Sequence, residues 1–131
     1  MFGLPFPLLM LCGYTITVLV ETAVLLVALS PRHPVRARLF AGVWLTACTY
    51  PVVWLVLPRV FETRVSYLVV AEVFAPAAEC VLFYLAFLKP QPPDRQATTR
   101  DMVAIVVANL ASFGVGELLY AFLVDPVAPA E

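Results

Sequence analysis

Residues 65–88 read VSYLVVAEVFAPAAECVLFYLAFL. A helix needs roughly 20 residues to cross the ~30 Å hydrocarbon core of a bilayer, and this run is long enough. It is apolar enough to face lipid, yet it holds Glu72 and Glu79, seven residues apart, with Pro76 between them. Three runs of the same kind accompany it, at about 4–29, 39–57 and 102–124. None alternates apolar with polar residues as the strands of a membrane barrel do. A helix satisfies its own backbone, which makes it the open choice in lipid. The expected fold is therefore all-α: one integral membrane bundle of four transmembrane helices over residues 1–131, with no soluble domain.

Composition agrees with that expectation. Of 131 residues, 63% are hydrophobic and 13% charged, against roughly 45–50% and about 25% in soluble domains. So short a chain cannot hide the excess in a core. A net charge of −1 offers nucleic acid no basic surface. Ten of the twelve prolines fall at the ends of the runs or between them; only Pro51 and Pro76 lie inside a proposed helix. The first run lacks a basic leader and a small-residue cleavage site, and is too long for the core of a signal peptide, so it is read as a helix. Residues 89–100, KPQPPDRQATTR, are the one linker-like stretch.

Basic residues set the expected orientation. The first connection carries Arg32, Arg36 and Arg38, and the third Lys89, Arg95 and Arg100. The second carries only Arg59 and Arg64. The positive-inside rule then puts the first and third connections in the cytoplasm, and both termini, including the acidic tail Asp125–Glu131, on the other side.

Four glutamates fall within the runs: Glu21, Glu72, Glu79 and Glu117. An acid at a helix centre costs about 2.5–3.5 kcal/mol to insert. Four together approach the whole of a typical folding stability of ~5–15 kcal/mol. These side chains are expected to turn inward. No lysine or arginine lies mid-span, so ion pairs within the chain are not expected, and protonated carboxyls are. Depth follows from a rise of ~1.5 Å per residue. Glu21, Glu79, Asn109 and Thr46 come out about 10–13 Å from the cytoplasmic ends of their helices. They form an inner polar network, to which Ser112 is added. Glu72, Glu117 and Trp54 come out at about 22–24 Å, in an outer layer. Thr49 and Tyr50 fall between the two, and Tyr50 is assigned to the outer one.

Local geometry adds detail. Glu72 and Glu79 share one helix face with Pro76. Proline has no N–H, so Pro76 frees the carbonyl of residue 72 and Pro51 that of Ala47. Two helix breaks, at Pro51 and Pro76, are expected to open a polar site at mid-depth. Ser112-x-x-x-Gly116 is a small-xxx-small pattern for close helix contact. Asn109 can donate and accept, which suits it to partner a protonated glutamate. The acids serve either as interhelical glue or in function; glue would be cheaper to bury as Ser, Thr or Asn. Cys12, Cys48 and Cys80 are expected to pack as small hydrophobes. No CxxC pair occurs, and His33 sits in a polar connection beside arginines, so no metal site is expected. No cofactor is indicated.

Several of these residues also carry a resemblance. Thr49-Tyr50-Pro51-Val52-Val53-Trp54, the paired Glu72 and Glu79, the run Ala108, Asn109, Ser112, Phe113 and Gly116, and the first-helix acid Glu21 together resemble a group of small bacterial four-helix membrane proteins. The group often has Thr-His-Pro ahead of the tryptophan. Tyr50 stands at the histidine position, which argues against an imidazole or metal role there. The resemblance implies a multi-pass protein of the bacterial inner membrane and implies no activity.

Three functions fit this reading. The first is a binding or assembly subunit that engages a membrane protein, lipid or pigment through its helix faces and Glu/Asn network. The second is a small proton- or ion-coupled carrier acting as a homo-oligomer, a dimer. The third, an intramembrane lipid enzyme using Glu79, lacks a nucleophile–base pair.

Overall fold

The computed structural model describes residues 5–123. Four helices make up the fold: α1 (Phe6–Ala28), α2 (Val35–Val60), α3 (Arg64–Leu88) and α4 (Arg95–Leu123). Each contains a span long and apolar enough to cross a membrane. The chain is an all-α integral membrane bundle, with no soluble domain among the described residues. Leu4 and Val124, the expected limits of the first and last helices, lie outside the described residues, as does the tail Asp125–Glu131.

Successive helices run antiparallel. α1 packs on α2 and α4, and α3 packs on the same two, closing a four-sided ring. Large apolar residues point outward: Leu19, Val27, Val69, Val103 and Phe122 are all exposed on the outer surface. In lipid these residues need no cover, so association rests on packing and interhelical hydrogen bonds.

The two ends of the bundle differ. The buried apolar cluster of Leu25, Leu29, Ala41, Leu45, Phe83, Leu88, Ala104, Ile105 and Ala108 gathers at the end that carries the first and third connections. This is the closed end. The other end, beside the α2–α3 connection, is open.

Charged and polar side chains finish the helices. At the C-terminus of α1, Arg38 donates to the carbonyls of Leu26 at 2.7 Å, Ser30 at 2.9 Å and His33 at 3.0 Å. Arg100 donates to the carbonyl of Ala28 at 3.0 Å. Basic residues expected to set orientation thus also satisfy the carbonyls that a helix end leaves free. Asp94 accepts from the Ala97 N–H at 3.1 Å and starts α4. The linker expected over 89–100 therefore shortens to 89–94, because a good N-cap extends the helix beyond its apolar run. α2 likewise begins at Val35 rather than 39, straight after Pro34.

Proline acts differently in the two central helices. Pro76 is absorbed, and α3 stays α-helical through it from Arg64 to Phe83. The expected break there does not occur. After Pro51 the helix widens into a π turn over Val52–Val56, closed by the Leu57 N–H on the Val52 carbonyl. The next bond in that pattern would need an N–H from Pro58, which has none. The orphaned Val53 carbonyl accepts instead from the Tyr67 hydroxyl of α3 at 2.9 Å.

Gly42 lets α1 and α2 meet. A Cβ there would strike the Thr22 side chain and lie 3.0 Å from its backbone Cα. A Cβ on Gly116 would meet nothing within 4 Å. Gly42→Ala should therefore destabilise by about 1–3 kcal/mol. Gly116→Ala should be neutral or stabilising by up to about 1 kcal/mol through helix propensity. Unfolding in mixed micelles followed by circular dichroism checks both.

Candidate functional site

Two buried acids tie the helices together. On α1, Glu21 is 3% exposed. Its Oε2 accepts from Thr46 Oγ1 of α2 and its Oε1 from Ser112 Oγ of α4, each at 2.8 Å. On α3, Glu79 is 2% exposed. It accepts from Thr49 Oγ1 of α2 at 2.8 Å and from Asn109 Nδ2 of α4 at 2.7 Å. Each carboxylate thus bridges its own helix to the same two neighbours. Thr46 and Thr49 lie three residues apart on one face of α2 and serve one acid each.

The three hydroxyls have a second acceptor within reach. Thr46 Oγ1 lies 3.0 Å from the Gly42 carbonyl, Thr49 Oγ1 3.1 Å from that of Leu45, and Ser112 Oγ 3.0 Å from that of Asn109. A hydroxyl has one proton and two acceptor sites. With an ionised glutamate it donates to the carboxylate. With a protonated one it can accept the acid proton and give its own to the backbone. The network can therefore satisfy both states.

Above this layer, toward the open end, the helices diverge around a cavity of about 870 Å³. All four contribute to its wall. Leu9 and Ile16 come from α1, Trp54 from α2, Leu68 from α3, and Phe113 and Gly116 from α4. Ser112 lines it as well, so the Glu21 network reaches its surface. The expected outer-layer residues Tyr50, Trp54, Glu72 and Glu117 all line this one cavity. Tyr50 and Trp54 are in ring contact, 5.4 Å between centroids, while Glu72 and Glu117 are not hydrogen-bonded to them or to each other. Tyr50 donates to the Met10 carbonyl at 3.0 Å, its ring lying where Gly13 leaves room on α1. Glu117 takes both oxygens to Arg64 Nη2, at 2.9 and 3.0 Å. This ion pair corrects the expectation that none would form. Arg64 opens α3 and reaches the level of Glu117, near the end of the antiparallel α4. Glu72 is half-buried on the wall and accepts no hydrogen bond from a described residue.

The small-residue pattern on α4 also reads differently in three dimensions. Ser112 holds Glu21, while Gly116 lines the cavity, where a Cβ would meet nothing within 4 Å. Cys12 and Cys48 are exposed rather than packed, and Cys12 lines the cavity. Cys80 is partly buried, its thiol 3.8 Å from the Met102 carbonyl.

A third polar group lies at the closed end. Asp101 is fully buried, accepts from the Ser30 N–H at 2.7 Å and Ser30 Oγ at 3.0 Å, and is hydrogen-bonded to His33 Nε2 at 2.8 Å. His33, expected in a solvated connection, is 3% exposed and packs edge-on against Phe83. The Ser30 hydroxyl gives its proton to Asp101 and not to His33, so the trio is not a nucleophile with its base. It ties the first connection to α4. Among the described residues no three His, Cys, Asp or Glu side chains gather as metal ligands.

No known protein family, curated protein or solved structure matches this chain.

The two kinds of polar group should respond differently to substitution. Asp101→Leu strands a buried N–H and the imidazole, and should cost about 3 kcal/mol. A double-mutant cycle on Glu79 and Asn109 should give only about 0.6 kcal/mol of coupling, as for other interhelical bonds in lipid. Both are read from unfolding free energies in the same micelles.

Proposed function

We propose that the protein is a membrane-embedded binding subunit that takes an amphipathic small molecule into the cavity between its four helices. One observation carries this reading. The cavity of about 870 Å³ has mostly apolar and aromatic walls, a few polar groups and a volume within the ~300–1,000 Å³ typical of ligand sites. Gly116 borders the cavity, which gives weight to a ligand held within the bundle. A lipid or pigment remains the kind of molecule that fits, approached from the bilayer.

The placement proposed with it is the bacterial inner membrane. Arg32, Arg36, Arg38, Lys89, Arg95 and Arg100 all belong to the closed end or its approaches, which favours that end as the cytoplasmic one. The cavity then opens toward the non-cytoplasmic face.

Gly116 lines the cavity and a Cβ there would meet nothing within 4 Å, so Gly116→Leu adds bulk at the cavity wall. Native mass spectrometry from mild detergent should find a stoichiometric small molecule on the unaltered protein and a loss of about tenfold or more in occupancy on this variant. Equal occupancy in both, with helicity retained, would sink the reading.

A second reading is a proton-coupled carrier. It is favoured by the hydroxyls around Glu21 and Glu79, which can accommodate either protonation state, and by the contact of Ser112 with the cavity. In proteoliposomes, Glu21→Gln and Glu79→Gln should abolish ligand-driven proton movement while ligand binding persists. Unchanged proton movement in both variants would exclude this reading.

A further inference from the structure

The wall of the cavity is unevenly supplied with donors and acceptors. Three hydroxyls that line it already donate to the protein. Tyr50 gives its proton to the Met10 carbonyl, Tyr67 to the Val53 carbonyl and Ser112 to Glu21. None of them is directed at Glu72. At the mouth, Glu117 is engaged by Arg64. Arg59 lines the cavity near the end of α2. Glu72 lies eight residues beyond Arg64 along α3, about 12 Å deeper. It is thus a carboxyl on a mostly apolar wall that also carries Thr17, below the charged rim, and no described residue donates a hydrogen bond to it.

Aromatic rings gather in the same cavity. Trp54 lies 5.8 Å from Phe6 and 5.4 Å from Tyr50, centroid to centroid. Tyr67 and Phe113 line it from α3 and α4. Ring faces attract a cation, tryptophan most strongly, and the attraction grows where water is excluded. Once ionised, Glu72 would be left without a partner by a neutral guest and would repel an anion. An ammonium group meets both the carboxylate and the rings.

We propose that the cavity selects an amphipathic cation, an alkyl or aryl amine or quaternary ammonium, with its charge at Glu72 and its apolar part along Leu9, Ile16 and Phe113. This rests on the reading of the cavity as a ligand site, and the test separates the two. Trp54 is a reporter inside the cavity, and Trp44→Phe removes the other tryptophan, which stacks on Phe40 away from it. Bromine quenches tryptophan on contact. In nanodiscs, three brominated undecyl probes are compared: a trimethylammonium, an alcohol and a carboxylate.

The expected result is saturable quenching of Trp54 by the trimethylammonium probe at about tenfold lower concentration than by the alcohol, the scale of one charge contact. In Glu72→Gln the two probes should become equal, with the alcohol still binding as evidence that the variant is folded. In Gly116→Leu saturable quenching by all three should disappear. If the three probes bind the unaltered cavity alike, or the carboxylate binds best, the cation proposal falls while the cavity reading stands. A cation preference that survives in Glu72→Gln also overturns it. If quenching is the same with and without the leucine, both fail.

Discussion

Everything in this bundle turns on how two carboxylates are held in lipid. Among the described residues Glu21 and Glu79 have no cation beside them; each takes two hydrogen bonds instead, one from α2 and one from α4. Because α1 and α3 stand on opposite sides of those helices, the two acids fix all four at one level. An unsatisfied carboxylate in hydrocarbon is costly, so the helices cannot slide or rotate there without leaving an oxygen bare. Each single bond is weak by the standards of membrane proteins. Their shared geometry sets the register of the bundle.

That layer divides the molecule. Toward the connections with arginine, small and branched residues close the core, and Asp101 clamps Ser30 and His33 beneath α4. Toward the other end the helices separate, Gly116 adds no bulk, and aromatic rings border a space instead of filling it. A protein selected only for stability would fill such a volume, since unfilled space forfeits dispersion contacts. The proposed binding function rests on this contrast between a packed half and an open one.

The fold was legible in the sequence because lipid imposes one rule throughout: long apolar runs become helices. Helix ends were less so, because Asp94 and Pro34 start helices in polar sequence beyond the apolar runs. Depth counting puts Glu21, Glu79, Thr46 and Asn109 at one level, and the structure pairs Glu21 with Thr46 and Glu79 with Asn109. The count missed Thr49 as the partner of Glu79 because it measures height and not direction around the helix; the three-residue spacing from Thr46 held that information. Gly116 was misread for a related reason, since spacing shows that residues share a face but not what the face meets. The Asp101 cluster was hidden altogether: Ser30 and His33 lie in a connection that reads as solvated, and Asp101 lies 68 residues beyond the histidine. Only the fold back of α4 joins them.

The bond between Tyr67 and the Val53 carbonyl has a further consequence. Pro58 leaves that carbonyl without a backbone donor, so the phenol from the facing helix is its substitute. The tyrosine is therefore both part of the cavity wall and a tether across it. Moving α2 away from α3 would leave a bare carbonyl facing hydrocarbon, which acts as a stop against widening. The space at the open end has a built-in maximum aperture, set by the reach of one aromatic side chain.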